Sequence, residues 1–137
     1  MTYTAIATTK AGRTGHVDSS DGTLNLDLSM PGSGKPGTNP EQLFAAGYSA
    51  CFGSAILAVA GQAKLKPESV HVTAEVTLVI EGGNYNIAVK LKPKIDGLPR
   101  DEVERLVHTA HEVCPYSKAT RGNIPVEFEF LCPKPLL

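Results

Sequence analysis

The feature that most constrains this chain is a long uncharged run in its first half. No charged residue occurs from Gln42 to Ala63, and the preceding Asn39-Pro40 suits the cap and the first position of a helix. A membrane span needs about 20 predominantly apolar residues, so the length of the run is nearly sufficient. The run can be a membrane anchor, a buried core helix or a helix that carries chemistry, because Cys51 lies near its middle. It is diluted by five polar side chains, namely Gln42, Tyr48, Ser49, Ser54 and Gln62.

The rest of the chain favours a core helix over an anchor. Residues 70–80 and 85–91 alternate apolar and polar side chains, as half-buried strands do, and their apolar faces need a partner. The 42–63 helix is apolar all round and is the only large helix available to cover them. We expect this helix to be fully buried and no membrane to be involved. Because a chain of 137 residues offers limited cover, we also expect a homodimer.

Length and charge narrow the class of protein. A chain of 137 residues has the usual size of one domain, and we predict a single domain over residues 1–137. The formal net charge of -1 supplies no basic field, so no nucleic-acid partner is expected. The first ten residues, MTYTAIATTK, lack the basic and apolar regions of a signal peptide. We therefore expect a cytoplasmic protein, in which thiols are normally kept reduced.

The pattern of apolar residues predicts an α+β domain. Glycines 12 and 15 flank Arg13 and indicate a turn, and residues 81–84 have the composition of a hairpin turn. An order of strands, helix, hairpin, helix and strand is typical of the α+β class. The predicted strands cover residues 2–9, 16–20, 24–28, 70–80, 85–91 and 124–130, and the predicted helices cover residues 40–63 and 99–114, with a short turn or helix over 116–120.

Three cysteines are candidates for chemistry, because their number is too small and odd for a disulfide framework. Cys51 lies among Ala, Phe and Gly, where a free thiol is usually inert packing unless a positive charge or a helix N-terminus stabilises its thiolate. Cys114 precedes Pro115, which can start a second helical piece whose free N–H groups favour a thiolate. A small residue at a helix junction is the alternative for Cys114. Cys132 is predicted to belong to the core or to a frayed terminus.

Cys51 and Cys114 can meet if the two helices that carry them pack together. A thiolate that attacks a peroxide becomes a sulfenic acid, which a second thiol condenses into a disulfide. The attack also expels an alkoxide, so a fixed cation would help both the thiolate and the leaving oxygen. Arg13 in its turn and Arg121 are the candidate cations, although a lone arginine in a turn is usually solvated.

Glu41 is the candidate partner for such an arginine. It can hold a guanidinium by a two-point ion pair, or it can simply place favourable charge at a helix N-terminus. In one straight helix, the ten residues between Glu41 and Cys51 amount to about 15 Å. Glu41 therefore cannot touch Cys51 directly unless the helix breaks near Gly47 or another subunit supplies one of the groups.

Two histidines raise the question of a metal site. His108 and His111 have a spacing that zinc ligands can have, with Glu112 and Cys114 close by in sequence. Both histidines fall off the apolar stripe of their predicted helix. We therefore expect solvated histidines and no metal site.

Two stretches of this sequence resemble a known family. The first is GTNPEQLFAAGYSACF, residues 37–52, and the second is VCPYS, residues 113–117, followed by RGN at 121–123. Both are similar to signatures of the organic hydroperoxide resistance (Ohr) branch of the OsmC/Ohr family. The order and spacing of the intervening elements also fit that branch, so the resemblance covers essentially the whole chain.

The resemblance implies a fold and an activity. Members of the Ohr branch are thiol-dependent peroxidases that reduce organic hydroperoxides, including fatty-acid hydroperoxides, to alcohols. They form an intertwined homodimer in which antiparallel sheets wrap around buried central helices, with active sites at the subunit interface. By position, Cys51 matches the peroxidatic cysteine, Cys114 the resolving cysteine, and Arg13 and Glu41 the ion pair that activates the peroxidatic thiol. No bound cofactor is implied, and the reductant is a dihydrolipoyl group, on a lipoylated protein or as dihydrolipoamide.

The chain departs from the family pattern at three places, one of which is a short loop before Asn39. Around Arg13 the family has a glycine-richer run with a second basic residue, whereas this chain has TKAGRTGH at 9–16. An acidic residue common on the strand after the first long helix is His71 here. A non-catalytic redox sensor or an apolar-ligand-binding protein on the same fold is the alternative function, and steady recycling by dihydrolipoamide would distinguish the enzyme from it.

Overall fold

A computed structural model describes residues 1–131 of this chain, so Cys132 lies outside the described residues. It contains two three-stranded sheets together with helices, which confirms the predicted α+β class. Contacts between Cα atoms divide the chain into two units, Met1–Leu43 and Phe44–Leu137. The single domain over 1–137 stays a prediction. The elements are β1 (Ala7–Lys10), a 3-10 turn (Gly12–Thr14), β2 (His16–Ser19), β3 (Asn25–Asp27), α1 (Pro40–Gln62), β4 (Ser69–Glu81), β5 (Asn84–Asp96), α2 (Arg100–Val113), α3 (Pro115–Thr120) and β6 (Val126–Phe128).

The first unit carries a small antiparallel sheet in the order β1-β2-β3. Lys10 at the end of β1 pairs with His16 at the start of β2, so the 3-10 turn that carries Arg13 closes a short loop between paired strands. Ala11 begins this loop with φ of 65°, in the left-handed region that glycine normally occupies. The departure from a glycine-richer sequence therefore falls on a residue whose backbone conformation glycine would adopt more easily.

The second unit is built on a long hairpin. β4 and β5 pair antiparallel from Ser69 opposite Asp96 to Glu81 opposite Asn84. Gly82 and Gly83, both at positive φ, form the two-residue turn between them, as the right-handed twist of a hairpin requires. β6 then pairs with β5 in parallel, because α2 and α3 carry the chain back before it enters the sheet. This sheet is therefore mixed, which corrects the expectation of purely antiparallel sheets.

The core of the second unit lies between the hairpin and the helices. The apolar face of β4 is covered only in part: Val72 and Val76 pack against the core, whereas Leu78 and Ile80, nearer the turn, are 36% and 57% exposed. The single chain thus leaves one end of this predicted apolar face open. The buried side chains of this core are Tyr48, Phe52, Ala55 and Ile56 of α1, Val89, Leu91 and Ile95 of β5, Val103, Val107 and Ala110 of α2, and Cys114.

α1 runs unbroken from Pro40 to Gln62, through Gly47. The side chain of Asn39 accepts a hydrogen bond from Gln42 N–H at 2.8 Å, which is the predicted N-cap. The break near Gly47 that would have let Glu41 approach Cys51 within one helix is absent from α1.

Only one face of α1 is buried in the single chain. The opposite face includes Ala46, Ala50 and Leu57, and Leu57 is 56% exposed. One chain alone therefore does not bury α1 on all sides, and its full burial in a homodimer stays a prediction. By length and composition α1 is a candidate membrane span, but core helices of soluble proteins meet the same criteria. Its packing against the hairpin and α2 favours the core helix.

Candidate active site

Cys51 and Cys114 lie next to each other. The Cys114 thiol donates to the Cys51 sulfur with the two Sγ atoms 3.5 Å apart, and both cysteines are free. Cys51 is partly exposed, whereas Cys114 is fully buried. A disulfide bond is about 2.05 Å long, so a movement of roughly 1.5 Å would join the two sulfurs. The geometry suits a pair in which the accessible sulfur reacts first and the buried one second.

A break between two helices places Cys114 beside Cys51. Pro115 cannot continue α2, and Cys114 takes an extended conformation, with φ of -63° and ψ of 124°, between α2 and α3. Pro115 then occupies the first turn of α3, as the sequence predicts. The next residue, Tyr116, donates its backbone N–H to the sulfur of Cys51. The proline thus ends one helix and starts another whose first turn faces the partner thiol.

The surroundings of Cys51 oppose its ionisation. Burial raises the pKa of the Cys51 thiol above its ordinary value, and the neighbouring Cys114 adds to the rise. The hydrogen bond from the Tyr116 N–H acts in the opposite direction because it stabilises the thiolate. With these contacts alone, little thiolate would be present at neutral pH. A reactive Cys51 therefore requires a cation in addition.

Arg13 and Glu41 form a two-point ion pair within the first unit. Arg13 Nη1 donates to Glu41 Oε2 at 2.9 Å and Nη2 donates to Oε1 at 2.6 Å. This hydrogen bonding lowers the pKa of the Glu41 carboxyl and raises the pKa of the Arg13 guanidinium. Arg13 is therefore paired, although its side chain stays 39% exposed to solvent. The other candidate cation, Arg121, donates instead to the backbone oxygen of His111 at 2.8 Å.

Aromatic side chains lie beside the thiol pair. A Cβ built on Gly47, one helical turn before Cys51, would lie 2.5 Å from Tyr116 Oη and 3.0 Å from Cζ. The ring of Tyr116 also lies 6.0 Å from that of Phe44 and 5.6 Å from that of Tyr48. Tyr48 is fully buried, so the accessible ring carbons that suit an organic ligand are those of Phe44 and Tyr116.

His111 is the residue that sequence reasoning placed wrongly. Instead of pointing into solvent, its Nδ1 lies 2.8 Å from Ser117 Oγ, and its ring packs edge-on against Phe128 with centroids 5.0 Å apart. Burial lowers the pKa of its imidazole, with the charges of Arg121 and His108 acting in the same direction. The break at Cys114-Pro115 was the available signal, because it lets residues on α3 fold back onto the last turn of α2.

His108 and the question of a metal site are separate from the contacts of His111. His108 is exposed, as predicted. No group of three or more His, Cys, Asp or Glu side chains arranged to hold a metal ion occurs among residues 1–131.

The comparison with known proteins gives the family. A model of OsmC-like proteins matches residues 32–129, which include α1, the hairpin and both cysteines of the site. The chain belongs to the OsmC/Ohr family, in its Ohr branch. The organic hydroperoxide resistance protein OhrB of Bacillus subtilis is 46% identical, with the match covering 93% of this chain and 96% of the relative.

Two further Ohr proteins extend the agreement from sequence to structure. The organic hydroperoxide resistance protein of Xanthomonas axonopodis pv. citri is 50% identical over 90% of this chain and 91% of its own. The crystal structure of an organic hydroperoxide resistance protein from Legionella pneumophila has a TM-score of 0.90 at 49% identity, covering 95% of this chain and 98% of that one. The OsmC/Ohr-like fold that the sequence predicts is therefore confirmed.

Proposed function

We propose that this Ohr-branch chain is a cysteine-based peroxidase that reduces organic hydroperoxides, alkyl and fatty-acid hydroperoxides among them, to alcohols. The observation that supports it is the 3.5 Å contact between the partly exposed Cys51 sulfur and the buried Cys114 sulfur. The names of the relatives support the same class of substrate. The partly accessible rings of Phe44 and Tyr116 near the thiol pair favour an organic peroxide over hydrogen peroxide.

The proposed reaction proceeds in three balanced steps. The Cys51 thiolate attacks one peroxide oxygen, so that an S–O bond forms, the O–O bond breaks and the expelled alkoxide takes up a proton to become the alcohol. Cys114, as its thiolate, then attacks the Cys51 sulfur: the S–S bond forms, the S–O bond breaks, and the leaving hydroxide is protonated to water. A dihydrolipoyl group, from a lipoylated protein or dihydrolipoamide, reduces the disulfide by exchange and is itself oxidised to the cyclic disulfide.

Arg13 and Glu41 have supporting roles in this proposal. Arg13 stabilises the Cys51 thiolate and the leaving alkoxide, since a fixed cation offsets the burial that raises the thiol pKa. Glu41 holds the guanidinium by its two hydrogen bonds and so limits its rotation. The ion pair and its match to the family pattern support these roles.

We also propose that the protein is a homodimer in the cytoplasm. The exposed apolar face of α1 and the exposed Leu78 and Ile80 near the hairpin turn support a second copy of the chain as a partner. Neither nucleic acid nor membrane is part of the proposal.

Single-turnover chemistry tests the function. With one equivalent of tert-butyl hydroperoxide, we expect wild type to form a Cys51–Cys114 disulfide, detected by mass spectrometry after digestion. Cys51→Ser should abolish turnover, whereas Cys114→Ser should still perform one reduction and leave a sulfenic acid that dimedone traps. Cys132→Ser serves as the control for a general effect of removing a thiol and should behave as wild type.

Two results would contradict this function. If wild type forms no Cys51–Cys114 disulfide, the mechanism is wrong. If dihydrolipoamide supports one turnover and no more in a steady-state assay, the chain is a redox sensor on the same fold and not an enzyme.

A further inference from the structure

A buried network of hydrogen bonds connects the helices around the thiol pair. Tyr48 Oη lies 2.8 Å from Ser117 Oγ and 3.0 Å from Thr120 Oγ1, and His111 Nδ1 lies 2.8 Å from the same Ser117 Oγ. Tyr48 and Ser117 are fully buried, and Thr120 is 4% exposed. We call these four residues the Tyr48–Ser117 network. Buried hydroxyls are costly unless hydrogen-bonded, and all those of the network have partners.

The members of the network flank the two cysteines at regular spacing. Tyr48 lies three residues before Cys51 on α1, while His111 lies three residues before Cys114 and Ser117 three residues after it. The network therefore connects the helix that carries one sulfur to both helical segments that meet at the other. Apolar packing tolerates small sliding movements, whereas hydrogen bonds weaken steeply when their distance or angle changes. These bonds fix the rotation of α3 about its contact with α1.

We propose that the Tyr48–Ser117 network positions Cys114 for its attack on oxidised Cys51, with Tyr48 and Ser117 as positioning residues of the disulfide step. This inference rests on the proposed function. In that step the S–S bond forms as the S–O bond of the sulfenic acid breaks, so the attacking sulfur must approach along a defined line. A misplacement of about 1 Å is enough to slow such a step by roughly a hundredfold.

The first step makes no such demand on the network. In the proposed function, attack on the peroxide needs Cys51, the substrate and Arg13 held by Glu41, and Cys114 takes no part in it. Loss of the network therefore separates the two steps: sulfenic acid still forms, but the disulfide forms slowly. The delayed sulfenic acid is then open to a second peroxide, which converts it irreversibly to sulfinic acid. The network thus protects Cys51 from over-oxidation by making resolution fast.

Rapid-quench measurements on Tyr48→Phe and Ser117→Ala test this. Both variants keep most of the packing and remove a hydroxyl. After one equivalent of tert-butyl hydroperoxide, dimedone-trapped sulfenic acid should appear within about twofold of the wild-type rate, while disulfide formation should slow by about tenfold or more. Under excess peroxide, Cys51 sulfinic acid should accumulate in the variants and stay low in wild type.

Matched controls come from hydroxyls outside the network. Tyr85→Phe changes an exposed tyrosine of β5, and Ser49→Ala changes a serine of α1 whose hydroxyl bonds to the Ala46 oxygen. Both controls should resolve at the wild-type rate. The double variant of Tyr48 and Ser117 should be slowed by less than the product of the two single effects, because both single changes break the hydrogen bond that the two residues share, while each also breaks one further bond.

The outcomes distinguish the inference from the function on which it rests. Disulfide formation at the wild-type rate in both single variants would overturn the network's role, as would equal slowing of both steps, which is the result of general structural damage. If wild type itself forms no sulfenic acid, the proposed function fails first and the inference with it. A sulfenic acid that resolves normally in wild type and slowly in the variants supports both.

Discussion

Gly47 governs how closely the aromatic ring of Tyr116 can approach α1. Because a Cβ at this position would meet the ring at 2.5 to 3.0 Å, no other residue fits without a shift of Tyr116. The backbone N–H of the same tyrosine is bonded to the Cys51 sulfur. Gly47 and the ionisation of Cys51 are therefore connected through Tyr116.

Gly47→Ala should raise the pKa of Cys51 further. The added methyl group displaces the ring of Tyr116, which weakens the hydrogen bond from the Tyr116 N–H that favours the charged form of the thiol. The measurement is the pH dependence of Cys51 alkylation in a Cys114→Ser, Cys132→Ser background, and we expect alkylation at neutral pH to slow by about threefold to tenfold.

Gly53→Ala is the matched control for this change. A Cβ at Gly53, on the same helix, would lie 3.7 Å from the side chain of Val72, which is an ordinary contact. Replacing Tyr116 with Ala should also abolish the effect of Gly47→Ala, since the ring that clashes is gone. Alkylation that is unchanged in Gly47→Ala would show that the ring and the N–H are independent.

Residues whose role depends on local spacing could be predicted from the sequence, and residues whose role depends on a distant partner could not. Asn39 at the helix cap and Pro115 at the helix break act on their immediate neighbours, so their types and positions sufficed. Gly47 and His111 act through Tyr116 and Ser117, and a periodicity argument does not say which way α3 turns after the break. That turn is set by packing of the whole second unit.

At the level of elements, the Arg13 turn illustrates how a sheet positions a charge. The turn is flanked by the last pair of the β1–β2 ladder, in which Lys10 lies opposite His16. Glu41 binds the guanidinium through two hydrogen bonds. The lowered pKa of Glu41 keeps this pair ionised. The contribution of this ion pair to the stability of the fold is fully present above the ordinary pKa of a carboxyl group. It is lost only when the pH falls through the lowered pKa of Glu41, so the pair stays intact at neutral and mildly acidic pH.

Arg13→Lys should impair the first chemical step even though the charge is kept. Lysine has a single ammonium and cannot reproduce the fork that contacts both oxygens of Glu41. We expect the rate of Cys51 oxidation by tert-butyl hydroperoxide to fall by about tenfold in Arg13→Lys and by about a hundredfold or more in Arg13→Ala. Lys35→Ala, an exposed cation of the same unit, is the control for net charge. Wild-type rates in Arg13→Ala would exclude this arginine from the mechanism.

The two long helices and β4 follow the sequence predictions closely, because their patterns are strong and locally terminated. β5 does not end at residue 91 as predicted but continues through Pro93 to Asp96. β1 and β6 are shorter than predicted: β1 begins at Ala7 and not at residue 2, and β6 covers three residues. The length of a short edge strand depends on which residues of the neighbouring strand can form hydrogen bonds with it. The alternation of apolar and polar residues in one strand does not contain that information. The parallel direction of β6 likewise depends on the path of α2 and α3.

At the scale of the whole molecule, the half-exposed α1 is the main argument for a dimer. Leu57→Glu places a charge on the exposed face of this apolar helix, and we expect it to weaken association while the single chain stays folded. Light scattering after size exclusion should give twice the 14.5 kDa chain mass for wild type and a shift toward 14.5 kDa for Leu57→Glu. Thr109→Glu, an exposed position of α2, adds the same charge elsewhere and should leave the mass unchanged. A monomeric wild type would contradict the homodimer.

The contact between Cys51 and Cys114 has a further consequence for stability. The two residues are 63 positions apart, so a disulfide between them closes a long loop in the unfolded chain and lowers its entropy. For a loop of this size the chain-entropy relation gives about 4 kcal/mol, so the oxidised protein should unfold at a clearly higher urea concentration than the reduced one. Equal midpoints for the two forms would contradict this. Each peroxide molecule that the site consumes would therefore leave the protein in its most unfolding-resistant form, until a dithiol releases the bond and restores both activity and flexibility.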